Sequence, residues 1–334
     1  MSIANRIGLR VAAAAVASGA IVAGGGLAAA APAGASTAGA SSQTSTSYTF
    51  RTLDNARDLT FNQLLGINDH GLIAGYFGSG AQGHPNKGYL LFPSYSQDNY
   101  RNENFPGSVQ TQVTGLNDNG VTVGFWSSMN TANQVNNNFG FYSLDGRHFH
   151  TVNFPTNDNA TPPVNQLLGV NDSDIAAGFY TDAQGINHGY TYNIGRHTFS
   201  RVTVPGDAGL SLTAAGISNA GDVSGFYTDA NGVTHGFLRL RSGRFSTLSV
   251  PGASATQALG VNDRDEVVGV YTVGSGAAAT MHGFTWQPGR GFQTVDDPHG
   301  AGTTTVNGVN DHGQLVGFYT DAAGNTDGFL ASPR

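Results

Sequence analysis

The chain has no cysteine among its 334 residues. That excludes a disulfide, a thiolate nucleophile and any cysteine-ligated metal. Charge is scarce: 11% of residues are charged, against about 25% in a typical soluble domain. Glutamate is nearly absent, so an acid–base pair would have to rest mostly on aspartate. No basic run follows Arg10. Nucleic acid and anionic lipid both demand clustered Lys and Arg, so neither is expected as a partner. The formal net charge is −7, and leaving out Arg6 and Arg10 of the N-terminal segment makes the body −9. There is no Gly-x-Ser-x-Gly elbow, no phosphate loop and no His-Glu-x-x-His helix motif.

What is abundant is glycine, 48 residues of it, placed periodically. One unit recurs six times, led by Gly66-Ile67-Asn68-Asp69, Gly115-Leu116-Asn117-Asp118, Gly169-Val170-Asn171-Asp172, Gly216-Ile217-Ser218-Asn219, Gly260-Val261-Asn262-Asp263 and Gly308-Val309-Asn310-Asp311. Nine residues after each leading glycine stands another, at 75, 124, 178, 225, 269 and 317. A third follows beside an aromatic, at 88, 140, 189, 236, 283 and 328. Repeats of roughly 40–50 residues signal blades, solenoids or arrays. In the fourth copy, short apolar-alternating runs at 213–217, 223–227, 235–240 and 244–250 are separated by Asn/Gly turns and ended by Pro251. Four antiparallel strands per repeat make a propeller blade.

The sixth copy stops after its third strand, and Tyr48–Leu53 matches the missing fourth one. The expected fold is therefore all-β, a six-bladed β-propeller over 48–334 with the N-terminal strand closing the last blade. A β-solenoid or β-sandwich is the alternative, but an open solenoid needs capping repeats. Residues 1–35, with Arg6 and Arg10 ahead of an Ala/Gly/Val-rich stretch and small residues at Ala29-Ala30-Ala31, read as a secretory signal peptide. An uncleaved anchor is the competing reading, since the apolar run reaches spanning length. Residues 36–47 read as a Ser/Thr/Gly-rich flexible linker.

The succession Gly-apolar-Asn-Asp-x-Gly, apolar-apolar-Gly-aromatic-Tyr-Thr-Asp and His-Gly-Phe resembles the bacterial extracellular HAF-repeat family. Its triplet stands here as His188-Gly189-Tyr190, His235-Gly236-Phe237 and His282-Gly283-Phe284, while the other copies carry Lys87, Phe139 and Asp327 at the first position. The resemblance implies an exported repeat protein of propeller type and brings no catalytic residues.

Candidate sites follow from the repeat geometry. Equivalent histidines in different blades rarely converge to the 2.0–2.2 Å a metal requires, so no metal and no cofactor is expected. Asx turns account for the Asn-Asp-x-Gly segments without calcium. The acid pairs Asp265-Glu266 and Asp296-Asp297 read as solvated turn residues. Spacing from the second glycine to the third varies from 11 to 16 residues, so variable loops gather on one face, where function tends to sit. The longest loops run over 126–138 and 156–165. They nominate Trp126 and the amides Asn136, Asn137 and Asn138 for glycan or polymer contact. A second nomination is the ring three residues before the leading glycines, Gln63, Gln112, Gln166 and Gln257 with Thr213 and Thr305, expected near the channel mouth.

The expected function is that of a secreted, monomeric, non-catalytic binding or cell-envelope interaction module. Its partner would be a glycan, a cell-wall polymer or a surface protein, with no membrane insertion after signal cleavage. An extracellular propeller hydrolase or lyase acting on a glycan is the alternative. It would need Asp, His or Arg clustered with perturbed pKa values. A purely structural surface protein is a third reading.

Overall fold

A computed structural model describes residues 46–128, 137–206 and 209–334. The expected signal segment and nearly all of the linker lie outside the described residues, as does Asn136. Among the described residues no helix is long and apolar enough to cross a membrane.

Each repeat forms a four-stranded antiparallel unit. The first comprises Asn62–Ile67, Ile73–Phe77, Lys87–Leu91 and Tyr100–Asn102. The second comprises Gln110–Leu116, Thr122–Ser127, Phe139–Ser143 and Phe149–Val152. The third begins with the long strand Asn159–Val170 and continues through Ile175–Asp182, Asn187–Asn193 and Thr198–Arg201. The fourth is Leu212–Ile217, Val223–Thr228, Thr234–Arg239 and Phe245–Leu248. The fifth is Ala255–Val261, Val267–Val273, Thr280–Gln287 and Gly291–Val295. A single parallel pairing, Thr234 with Ala255, joins these two units. The sixth holds Thr305–Val309, Leu315–Thr320 and Thr326–Pro333, and its fourth strand is Tyr48–Thr52, running from Tyr48 opposite Pro333 to Thr52 opposite Phe329.

The repeating glycines have steric causes. In all six first hairpins the register slips just before the leading glycine, as between Val113 and Gly115. That bulge brings the strand against its neighbour: a Cβ on Gly115 would lie 2.7 Å from the Leu168 carbonyl oxygen. The second glycine makes room for an aromatic. A Cβ on Gly225 would lie 2.1 Å from the Thr213 oxygen and 2.7 Å from the Phe237 ring. The residue after the third glycine fills that space in five of the six copies, and Tyr89, Phe141, Tyr190, Phe237, Phe284 and Phe329 are all fully buried. This explains the aromatic of the triplet as the core residue of each unit.

The stretch 156–165, expected as a loop, is largely strand. Asn159 pairs with Asp182 and Val164 with Thr181, across a register shift. The second strand of this repeat is long enough to supply backbone partners that would otherwise go unmet.

Candidate functional site

Antiparallel order puts the turns between first and second strands, and between third and fourth, on one face. The variable connections lie on the other. On the tight-turn face each Asn of the Asn-Asp pair has two tasks. Asn68 Oδ1 accepts from the backbone N–H of His70 and of Leu72, which shapes its own turn. Its Nδ2 donates to the Asn117 carbonyl of the next repeat at 3.1 Å. The following carboxylates complete the circuit. Asp69 N–H donates to Asp118 Oδ1, Asp118 to Asp172, Asp172 to Asn219, Asn219 to Asp263, Asp263 to Asp311, and Asp311 back to Asp69 at 2.7 Å. Each sheet stays open, and these turn-to-turn bonds link the sixth repeat to the first.

Five carboxylates and one amide thus surround a central cavity of about 130 Å³. Burial, with its neighbours Asp69 and Asp263, raises the Asp311 carboxyl above its ordinary range. Among the described residues no group of three or more His, Asp or Glu side chains is arranged to hold a metal ion.

The triplet histidines stay in their own sheets. His188 Nε2 lies 2.7 Å from Asp182 Oδ2, and His235 Nε2 lies 3.3 Å from Asp229 Oδ2. His282 Nδ1 lies 2.7 Å from Asp296 Oδ2. Each ring sits beside the tyrosine of the preceding strand, Tyr180, Tyr227 or Tyr271. The reading of Asp296-Asp297 as solvated needs correction: Asp297 is fully buried, with Oδ1 bound by His299, and Asp296 is held by His282.

The structure brings together part of the sequence-nominated set on the variable face. Gln112, Trp126 and Asn138 line one cavity of about 30 Å³ with Asn86, Gln110 and Ser127. This is room for about one water. Trp126 is half-buried rather than an exposed platform. Its indole stacks on Phe105 of the preceding connection at 4.4 Å and meets Phe139 of the adjoining strand at 4.9 Å, so apolar rings cover it. Asn137 is buried and ties Ser127 and Ser128.

The amide ring also differs from expectation. The central cavity is lined by residues from one before each leading glycine onward, and none of the nominated glutamines reaches it. Buried amides need partners, and for Gln112 and Gln166 the neighbouring sheet supplies them. Gln112 Nε2 donates to Asn86 Oδ1 at 2.9 Å, and Gln166 Nε2 to Asn138 Oδ1 at 2.7 Å. Gln63 Oε1 accepts from the Tyr76 hydroxyl, and Gln257 is half-buried opposite Val270.

A larger cavity, about 330 Å³, lies on the tight-turn face between the fifth and sixth repeats. Sequence reading missed it. The first turn of the fifth repeat supplies Arg264 and Glu266, and its last hairpin supplies Arg290 from the turn and Phe292 from the fourth strand. Tyr48 of the N-terminal strand and His312 close the other side. Burial pushes the Glu266 carboxyl up, while Asn262, Arg264 and Arg290 pull it back. Burial, with Glu266 nearby, likewise raises the Tyr48 hydroxyl. Glu266 is half-buried, so its reading as a solvated turn acid is corrected as well. The available signal was Arg264 and Arg290 on two turns of one repeat. Only the ring closure reveals that Tyr48 joins them.

No protein family and no curated protein matches this chain. Solved structures do. The structure of YjhT matches with a TM-score of 0.50 and 9% identity, over 82% of this chain and 97% of that one. TolB from Acinetobacter baumannii matches at 0.47 and 11% identity over 78% of this chain, which spans 63%, less than two thirds, of the TolB chain. The fungal lectin of Aleuria aurantia, described as a six-bladed β-propeller with a novel fucose recognition mode, matches at 0.42 and 9% identity, over 70% and 78%. The latter two likenesses are too slight to carry an argument, and the YjhT match bears on fold alone. The chain is all-β, built of four-stranded antiparallel units, one for each repeat.

Proposed function

We propose that this chain is a six-bladed β-propeller of the extracellular HAF-repeat type, closed by its N-terminal strand and exported by its N-terminal segment. It acts as a non-catalytic binding module for a glycan or cell-wall polymer at or beyond the cell envelope. Support for six blades comes from the hydrogen-bond cycle that runs through all six turns and returns from Asp311 to Asp69. The observation that carries the binding role is the 330 Å³ cleft between the fifth and sixth repeats, where polar groups surround Tyr48 and Phe292. Clefts of this size with a few placed polar groups over an aromatic wall are the usual form of a ligand site. The histidines, each held by an aspartate of its own sheet, offer no shared catalytic centre.

The test is retention of the full chain on an array of glycans and cell-wall polymers. Retention on one class, lost in Phe292→Ala and kept in Trp126→Ala, supports the reading. Retention that depends on Trp126 instead moves the site to the other face. Within the cleft, Glu266, raised by burial beside Tyr48, favours the enzymatic alternative. Reducing ends released from the bound polymer by the wild type, and not by Glu266→Gln, would establish it.

A further inference from the structure

The cleft between the fifth and sixth repeats holds cations that the protein itself leaves unmatched. Several basic side chains of other repeats are engaged within the fold. Arg51 donates to the Ser94 and Tyr95 carbonyls, Arg57 to Asn102, and Lys87 to the Val109 carbonyl. Arg101 lies over the Phe92 ring. Arg264 and Arg290 have no such partner: among the described residues neither guanidinium donates a hydrogen bond or forms an ion pair, and every ion pair there joins a histidine to an aspartate. Both guanidiniums nevertheless act on the same carboxyl, that of Glu266, without reaching it. Two arginines therefore converge on one cavity in a chain of net charge −7.

A guanidinium is a planar fork matched to carboxylate and sulfate oxygens. Two facing one cavity make a receptor for an anionic group rather than for a neutral sugar. The rest of the wall suits the remainder of a sugar ring: Thr285 and Gln287 offer hydroxyl and amide groups, and Phe292 and Tyr48 an apolar face. Glu266 lines the same cavity and offers carboxyl oxygens able to accept from a ligand hydroxyl.

Resting on the binding-module reading, we propose that the ligand is an acidic polysaccharide, its carboxylate or sulfate seated between Arg264 and Arg290. The experiment is calorimetric titration of the full chain with polygalacturonate, a sulfated glucan, neutral dextran and poly-glutamate, at low and high salt. Arg264→Gln, Arg290→Gln and the double variant are compared, each with its unfolding temperature recorded. The expected result is binding of one or both acidic polysaccharides, the pair distinguishing carboxylate from sulfate. Affinity should fall at least tenfold in each single variant and with added salt, at unchanged unfolding temperature. Binding of dextran with no loss in the arginine variants overturns the anionic assignment and leaves the binding-module reading standing. Equal binding of poly-glutamate overturns the polysaccharide assignment. Polygalacturonate binding that ignores both substitutions removes the cleft as its site. Silence toward all four polymers overturns the inference, and silence across the wider array then overturns the reading beneath it.

Discussion

Asp54 provides a sharp physical test of the closure of the ring. It follows the N-terminal strand and accepts from the Gly328 N–H at 3.0 Å, as Asp296 accepts from Gly283 at 3.2 Å in the fifth repeat. In the fifth repeat the other oxygen of Asp296 holds His282. In the sixth the triplet histidine is replaced by Asp327, so a carboxylate faces a carboxylate. Burial first, then Asp327, raises Asp54 from 3.8 to about 6, and burial with Asp321 raises Asp327. The folded protein therefore keeps a proton that the unfolded chain has released between those two values. The stabilisation this brings is present below about pH 4 and lost as pH rises through 6. Two units correspond to about 3 kcal/mol. Asp54 is only partly buried, and screening by solvent reduces this to roughly 1–1.5 kcal/mol.

Asp54→Asn keeps the acceptor for Gly328 and removes the charge. It should be more stable than the wild type by that amount at pH 8 and nearly equal to it at pH 4. Urea denaturation at both pH values, with an unchanged m-value, is the assay. Asp296→Asn is the control and should destabilise at pH 8, since that carboxylate holds a histidine. An Asp54→Asn protein less stable than the wild type at pH 8, or a difference that ignores pH, would refute the carboxylate pairing.

Three further outcomes are expected. Phe237→Ala, emptying the fully buried core position of the fourth repeat, should cost about 3–5 kcal/mol in chemical denaturation; a loss under 1 kcal/mol would contradict its core role. Asn219→Asp would place a sixth carboxylate on the turn ring and remove the amide that donates to Asp172. It should lower stability by about 1 kcal/mol at low salt and partly recover at 1 M salt. A salt-independent change would argue against charge repulsion. Because the chain has no cysteine, Thr49→Cys with Ser332→Cys is a clean probe of strand closure. These residues face each other across the sixth sheet, at a spacing that accommodates a disulfide. Full loss of free thiols in a monomeric product is expected, and two titratable thiols in the folded protein would contradict the pairing.

The fold was legible because its determinants are local and repeated. The leading glycine, the Asn-Asp turn and the buried aromatic all recur at fixed spacing, and the match between Tyr48–Leu53 and the fourth strands disclosed which ends meet. The sites were less legible because they lie between repeats. Gln112 and Gln166 share a position in the repeat, but the facing side chains of the neighbouring sheet decide that they turn to Asn86 and Asn138. Trp126 stands before a long polar loop, yet Phe105 from the preceding connection covers it. Arg264, Arg290 and Tyr48 are far apart in sequence and meet only once the last sheet is complete. The aspartate at 327 was visible as a departure from the triplet, but its consequence depends on Asp54 from the opposite end of the chain.

Which face holds the ligand is the central functional claim, and hydroxyl-radical footprinting of the full chain tests it most directly. With and without a retained acidic polysaccharide, the account predicts protection at Tyr48, Phe292 and His312 in the cleft, and unchanged labelling at Leu59 and Trp126 toward the variable face. Protection confined to Leu59 and Trp126 would contradict it.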